Sequence, residues 1–148
     1  RIGMNGRLDT LQAAILIEKL AILGDELQAR DRIARRYNEM LKDIVEVPTV
    51  RRDRFSAWAQ YTVRLRPGER DAVRARLDTD KIPTAIYYHT ALHQHAPYLG
   101  YPRAGNHLPA AEELALTVLS LPFHPYLDEE LQDRIVDSFR KAIKSVRG

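Results

Sequence analysis

Apolar residues recur at helical spacing from Leu8 to about Ile44. Leu8, Leu11, Ile15/Leu16, Leu20, Leu23, Leu27, Ala34, Tyr37, Leu41 and Ile44 draw one stripe, interrupted only near Arg30–Asp31. That period marks one face of a long amphipathic helix. Asp9, followed three positions later by Gln12, predicts its start, because a short acidic side chain there accepts from an otherwise unpaired backbone N–H. Gly24 lies mid-pattern, and glycine inside a helix costs about 1 kcal/mol relative to alanine. A kink there, or two helices meeting near Gln28–Asp31, therefore competes with one straight rod. Pro48 disfavours helical geometry at Val47 and closes the segment.

The period then changes to two. Over residues 57–66, Ala59, Tyr61, Val63 and Leu65 face one way, and Gln60, Thr62, Arg64 and Arg66 the other. This predicts a half-buried strand closed by Pro67-Gly68. Residues 69–79 read as a short helix with Val73 and Leu77 inward, and residues 82–88 as a second strand with Pro83 at its start. Residues 89–108 carry little periodicity and form a loop. Pro109 suits a first helical position, so a helix is expected from Ala110 to about Leu119, then a brief extended piece over 120–123. Asp128 caps a last helix with Leu131, Ile135, Phe139 and Ile143 on one face.

The pattern divides the chain into a long, possibly kinked connecting helix over residues 1–44 and an α+β domain over 45–148. In that domain, helices cover one face of a small antiparallel sheet. The stripe exceeds what so small a sheet covers. Part of the long helix is therefore expected to pack on something else, and the piece alone to associate.

With 148 residues and 45% hydrophobic content, the chain is the size of one ordinary globular domain. It contains no cysteine, which excludes disulfides, thiolate metal ligands and a thiol nucleophile. No apolar run approaches the roughly 20 residues that span a bilayer, and no signal peptide opens the chain, so no membrane partner and a cytoplasmic location are expected. The net charge of +3 is too small to indicate a nucleic-acid partner. The arginines at 30, 32, 35, 36, 51, 52 and 54 alternate with Asp31, Glu39, Asp43 and Asp53, which describes a solvated surface.

Two clusters carry candidate chemistry. Asn5 and Arg7 precede the first helical turn, where unpaired N–H groups and a partial positive charge suit a phosphate; a simple helix-initiating turn is the alternative. Tyr87, Tyr88, His89, His93 and His95 gather at a predicted strand end, where loops commonly meet polar ligands. The three histidines offer metal-ligand spacing, but no carboxylate or helical frame accompanies them, so no metal is expected, and partly buried structural histidines beside an aromatic core strip are the plainer reading. None of the lysines at 19, 42, 81, 141 and 144 lies in an apolar or glycine-rich setting that would lower its pKa for covalent work, so all read as surface charges.

Longer words give a resemblance. Gly3-x-Asn5-x-Arg7-Leu8-Asp9-x3-Ala13-Ala14-x-Leu16-x2-Lys19-Leu20 resembles the segment that follows the cofactor lysine in the DegT/DnrJ/StrS family of sugar aminotransferases. The likeness continues in family order through Ile33-Ala34-x2-Tyr37-x3-Leu41, Ser56-Ala57-Trp58-x-Gln60-Tyr61-Thr62-Val63 and Ile82-Pro83-Thr84-x-Ile86-Tyr87-Tyr88. It extends through Leu92-His93-Gln94, Leu108-Pro109-x2-Glu112 and Leu119-Ser120-Leu121-Pro122-x-His124-Pro125. The resemblance implies the small C-terminal domain of a fold-type I pyridoxal 5'-phosphate enzyme, a homodimer that moves an amino group from glutamate to a UDP- or dTDP-linked keto sugar.

The cofactor-binding domain and its Schiff-base lysine are implied to lie upstream, in keeping with a chain that opens without Met and reads as a piece of something larger. No catalytic residue, no retained cofactor and no activity are then expected of this piece alone. Asn5 is implied to reach the cofactor phosphate of the neighbouring subunit, and Arg7 its nucleotide sugar. Tyr87, Tyr88 and His93 are implied to line the sugar-nucleotide cleft. Many relatives carry prolines where His89 and Ala91 stand, so this loop is expected to be shaped differently. The Ile86-Tyr87-Tyr88 form is similar to members acting on 3-keto UDP-sugars, uronates included. A relative using the same cofactor for dehydration or isomerisation, and a non-catalytic dimerisation or binding module, are the alternatives.

Overall fold

The computed structural model describes residues 6–105 and 107–148. Asn5, the expected phosphate contact, lies outside the described residues. Helix α1 runs without a break over Thr10–Leu41, and Asp9 caps it by accepting the Gln12 N–H at 2.8 Å. The helix is not divided at Gly24 or near Gln28–Asp31. The polar interruption at Arg30–Asp31 is filled from outside the helix: Arg30 Nη1 donates to the Trp58 carbonyl at 3.0 Å, and Trp58 Nε1 donates to Asp31 Oδ1 at 3.1 Å. Those partners let the helix continue through a position where the apolar pattern lapses.

Strand β1 covers only Tyr61–Arg64 of the predicted 57–66. Trp58 has a φ of 47°, which breaks extended geometry upstream, and Ala59 is exposed rather than inward. Helix α2 occupies Arg70–Thr79 with Val73 and Leu77 buried, entered through Gly68 at a φ of 84°. Helix α3 spans Pro109–Thr117 and leads directly into strand β2, Val118–Leu121. The sheet has two antiparallel strands, with Tyr61 opposite Leu121 and Val63 opposite Leu119.

The predicted strand over 82–88 does not form. Only Ala85 pairs, exchanging bonds of 3.1 and 2.8 Å with Ser120, because Pro83 has no N–H to extend the ladder. Within the 89–108 loop, two 3-10 turns, Leu92–Gln94 and Ala96–Tyr98, supply local structure.

Helix α4, Glu129–Arg147, starts at Asp128, whose side chain accepts from the Leu131 N–H at 2.7 Å. Its buried face carries Ile135, Val136, Phe139, Ala142 and Ile143, whereas Leu131 stays outside. Gln132 takes a buried place on that face because its amide donates to the Ile33 carbonyl at 2.9 Å. The core joins the second half of α1 (Ala34, Tyr37, Leu41) to both strands, α2 and α4. The first half of α1 is left open, with Leu11, Ile15, Ile17 and Leu20 exposed, as is Leu8 just ahead of it. Among the described residues no helix is long and apolar enough to cross a membrane.

Candidate functional site

Ala85 anchors its segment to β2, and the chain beyond it turns outward at Tyr87 and Tyr88. Both side chains are exposed, at 46% and 74%, and their rings meet edge to face with centroids 5.8 Å apart. Tyr87 lines two open clefts. One, of about 280 Å³, lies along the β2 edge between Gln60, Thr84, Ser120 and Phe123. The other, of about 250 Å³, separates Tyr88 and Leu92 from Ala111, Leu114 and Val118. An aromatic ridge between two grooves, with backbone and hydroxyl groups in the walls, suits a ligand that combines ring faces with polar edges.

His93 behaves differently from the expected cleft residue. Its side chain is 8% exposed, and Nε2 stands 2.8 Å from Glu112 Oε1 in the first turn of α3. A carboxylate only accepts, so Nε2 carries the proton. The donated bond from His93, followed by the Leu108 N–H at 3.3 Å, holds the Glu112 carboxyl below its usual range. The His93 ring is thereby turned inward. Among the described residues no three His, Asp or Glu side chains gather in a way that could hold a metal ion. Arg7 is exposed ahead of α1 and lines neither cleft.

Lys19 is more than a free surface charge. Its ammonium pairs with Glu26, which also accepts from the Tyr126 hydroxyl, and it sits 5.8 Å from the Tyr126 ring centroid. The Glu26 bond raises the Lys19 pKa, which is opposite to what imine chemistry requires. Lys42 pairs with Glu39, and Lys81, Lys141 and Lys144 are exposed. All five amines are exposed, and no step through pyridoxal phosphate is derived for this chain.

Sequence reasoning missed Glu112 as a partner of His93, and Arg30, whose guanidinium lies 5.7 Å from the Phe123 ring centroid at the wall of the first cleft. An acid at the first turn after Pro109 was a visible signal for a helix start. Nothing in the spacing tied it to a histidine 19 residues earlier.

A profile of the DegT/DnrJ/EryC1/StrS aminotransferase family matches residues 1–140, and the chain belongs to that family. Pseudomonas aeruginosa UDP-2-acetamido-2-deoxy-3-oxo-D-glucuronate aminotransferase is 41% identical over 129 residues, covering 86% of this chain and 34% of the relative. The crystal structure of a DegT/DnrJ/EryC1/StrS aminotransferase from Brucella abortus superposes with a TM-score of 0.88 at 52% identity, covering 95% of this chain and 37% of that one. Bacillus subtilis NtdA, solved with bound cofactor PMP, superposes with a TM-score of 0.82 at 29% identity, over 96% of this chain and 34% of that one. The chain thus spans about a third of the length of these relatives, and the part it spans is the helix-plus-small-sheet portion described above.

Proposed function

We propose that residues 1–44 and 45–148 are the connecting helix and C-terminal domain of a cytoplasmic, pyridoxal-phosphate-dependent sugar aminotransferase. Its cofactor-binding domain and reactive lysine would lie upstream of this chain, and the chain would be inactive alone. The reaction exchanges the amino group of glutamate for the keto oxygen of a UDP- or dTDP-linked sugar, releasing 2-oxoglutarate and an amino sugar for polysaccharide or amino-sugar biosynthesis. The bound cofactor supplies the electron sink for that exchange.

The observation that carries the reading is the continuous likeness to the Pseudomonas enzyme, whose named substrate is a UDP-linked 3-oxo uronate. The site geometry agrees with it. Tyr87 and Tyr88 form the outward aromatic wall against which a nucleotide sugar rests. Arg7 lies off the clefts of its own chain, as expected of a guanidinium that serves the neighbouring subunit of a homodimer, where its fork suits a diphosphate or carboxylate. Asn5 would donate its amide to the cofactor phosphate of that same neighbour. His93 supports the wall from inside. The exposed apolar half of α1 is the surface that the rest of the protein, or its second copy, would cover.

The test uses the full-length protein. Glutamate is expected to release 2-oxoglutarate continuously only when a keto UDP- or dTDP-sugar is present, and Asn5→Ala and Arg7→Ala are each expected to slow that release. A colourless protein that transfers no amino group, with both variants indifferent, refutes the reading.

A further inference from the structure

His93 lies before the exposed residues Tyr98, Leu99 and Tyr101, and Leu108 stands at the start of α3. One carboxylate oxygen meets both ends. Glu112 Oε1 accepts from His93 Nε2 at 2.8 Å and from the Leu108 N–H at 3.3 Å, while the Glu112 N–H donates to the Leu108 carbonyl at 3.0 Å. Of these, the Leu108 N–H bond is the cap-like one and the Glu112 N–H bond is the first i→i−4 bond of α3; the first turn of a helix favours a negative charge there. The histidine bond is what makes the cap long-range, because it fixes a segment 19 residues away. That segment follows directly on Tyr88, and the cleft beside it has Leu92 on one wall and Ala111 and Leu114 on the other.

We propose that Glu112 is a positioning residue: its carboxylate clasps the two ends of the loop between His93 and Leu108 and so sets the distance between the Tyr87–Tyr88 wall and α3, the width of the groove a nucleotide sugar enters. The proposal rests on the transaminase reading for its ligand but not for its clasp. A closed loop base of this kind is how compact surface loops keep their ends together. Glu112 lines neither cleft. It acts through His93 and the tyrosine wall.

Two readouts on the full-length protein separate the clasp from the chemistry. Chymotrypsin reads the loop at Tyr98 and Leu99, both exposed. Glu112→Ala is expected to raise cleavage there about tenfold, the effect of one lost charge-assisted hydrogen bond, and Glu112→Gln, which keeps an accepting oxygen, to restore most of the protection. His93→Ala opens the same loop and serves should Glu112→Ala fold poorly. In kinetics, Glu112→Ala is expected to raise KM for the keto nucleotide sugar about tenfold with kcat within about twofold, and to leave the glutamate half-reaction unchanged.

Cleavage and KM both at wild-type values overturn the proposal. Faster cleavage with an unchanged KM overturns the positioning role. A wild-type protein that aminates no nucleotide sugar refutes the transaminase reading instead, and the cleavage ratio then decides the clasp by itself.

Discussion

Tyr37 of α1 and Tyr61 of β1 stack with ring centroids 4.8 Å apart, and their hydroxyls leave in different directions. Tyr37 donates to the Pro122 carbonyl at 3.0 Å, just past the end of β2, and Tyr61 donates to Asn38 Oδ1 at 2.7 Å on α1. Phe123 extends the stack, 6.1 Å from the Tyr61 ring. Two phenols therefore join the long helix to both strands and to the wall of the first cleft, with no polar atom of either left unpaired. The helix that departs toward the uncovered apolar surface is registered on the sheet through these rings.

Removing either hydroxyl is expected to cost stability without altering the fold. Tyr61→Phe leaves the Asn38 oxygen short of a donor, and Tyr37→Phe does the same to the Pro122 carbonyl, each for about 1–2 kcal/mol in urea unfolding. Burial raises both phenol pKa values far above the ordinary range near 10. A raised folded-state value means stability that is intact below about pH 10 and lost as pH climbs above it. A spectrophotometric titration should show a late tyrosinate step that coincides with loss of far-ultraviolet helix signal. Early, reversible ionisation of every tyrosine in the native protein contradicts the packing described.

At the opposite pH limit carboxylates contribute, Glu69 among them. Arg147, one residue from the end of the chain, grips it with two bonds of 2.8 and 2.9 Å and spends its remaining nitrogen on the Ile44 carbonyl at 2.9 Å. One guanidinium thus binds the start of α2, the end of α4 and the turn after α1. The Arg147 bonds, helped by the Arg66 N–H at 3.1 Å, hold the Glu69 carboxyl below its usual value. Because the folded value is lowered, the contribution is complete above the unfolded value of about 4.3 and is lost as pH falls through the folded one. Arg147→Ala leaves a buried carboxylate unpaired and is expected to cost about 3 kcal/mol at pH 7. It should also flatten the dependence of the thermal midpoint between about pH 5 and pH 3. A midpoint that keeps its wild-type acid slope in the variant would assign that slope to other carboxylates.

The open half of α1 predicts association of the isolated chain. Leu11, Ile15, Ile17 and Leu20 are exposed on several sides of the helix, an apolar stretch larger than single exposed residues need. Sedimentation is expected to show self-association, and an apolar dye to bind. Leu11→Lys combined with Leu20→Glu should abolish both while moving the thermal midpoint little, since surface changes away from the core fall within about 0.5 kcal/mol. A monomeric, dye-silent wild-type chain would show that the stretch is not adhesive.

Much of this architecture was legible in the pattern, and the misses have physical causes. Asp9 and Asp128 both cap the helices they were expected to cap, because a cap depends on a side chain and backbone groups a few residues apart. Strand extents depend on a partner elsewhere in the chain. Alternation holds from Tyr61 to Arg66 but not at Ala59, and Trp58 at positive φ and the position of β2 trim β1 to four residues. The segment at 82–88 has strand composition, but its proline and lack of a second neighbour leave it one bridge. In the site, Tyr87 and Tyr88 emerge together as expected of neighbours in sequence. His93 is turned inward because Glu112, remote in the chain, supplies a better partner than solvent. Local spacing carries no information about such a pair.

The last prediction concerns the tyrosine pair itself. Edge-to-face rings at 5.8 Å, with an interplanar angle of 77°, are worth about 0.5–1.5 kcal/mol beyond the area they bury. Tyr88 is the more exposed and lines only the groove against α3, whereas Tyr87 lines both grooves. In the full-length protein Tyr87→Ala should therefore weaken binding of UDP, measured by calorimetry, more than Tyr88→Ala does. Because the edge of one ring orients the other, the double variant should lose less than the sum of the singles by about that coupling energy. Tyr87→Phe, which keeps the ring contact, should bind UDP within a few-fold of wild type. Strict additivity would mean that each ring meets the ligand independently, and equal indifference of both singles would place the nucleotide somewhere other than this ridge.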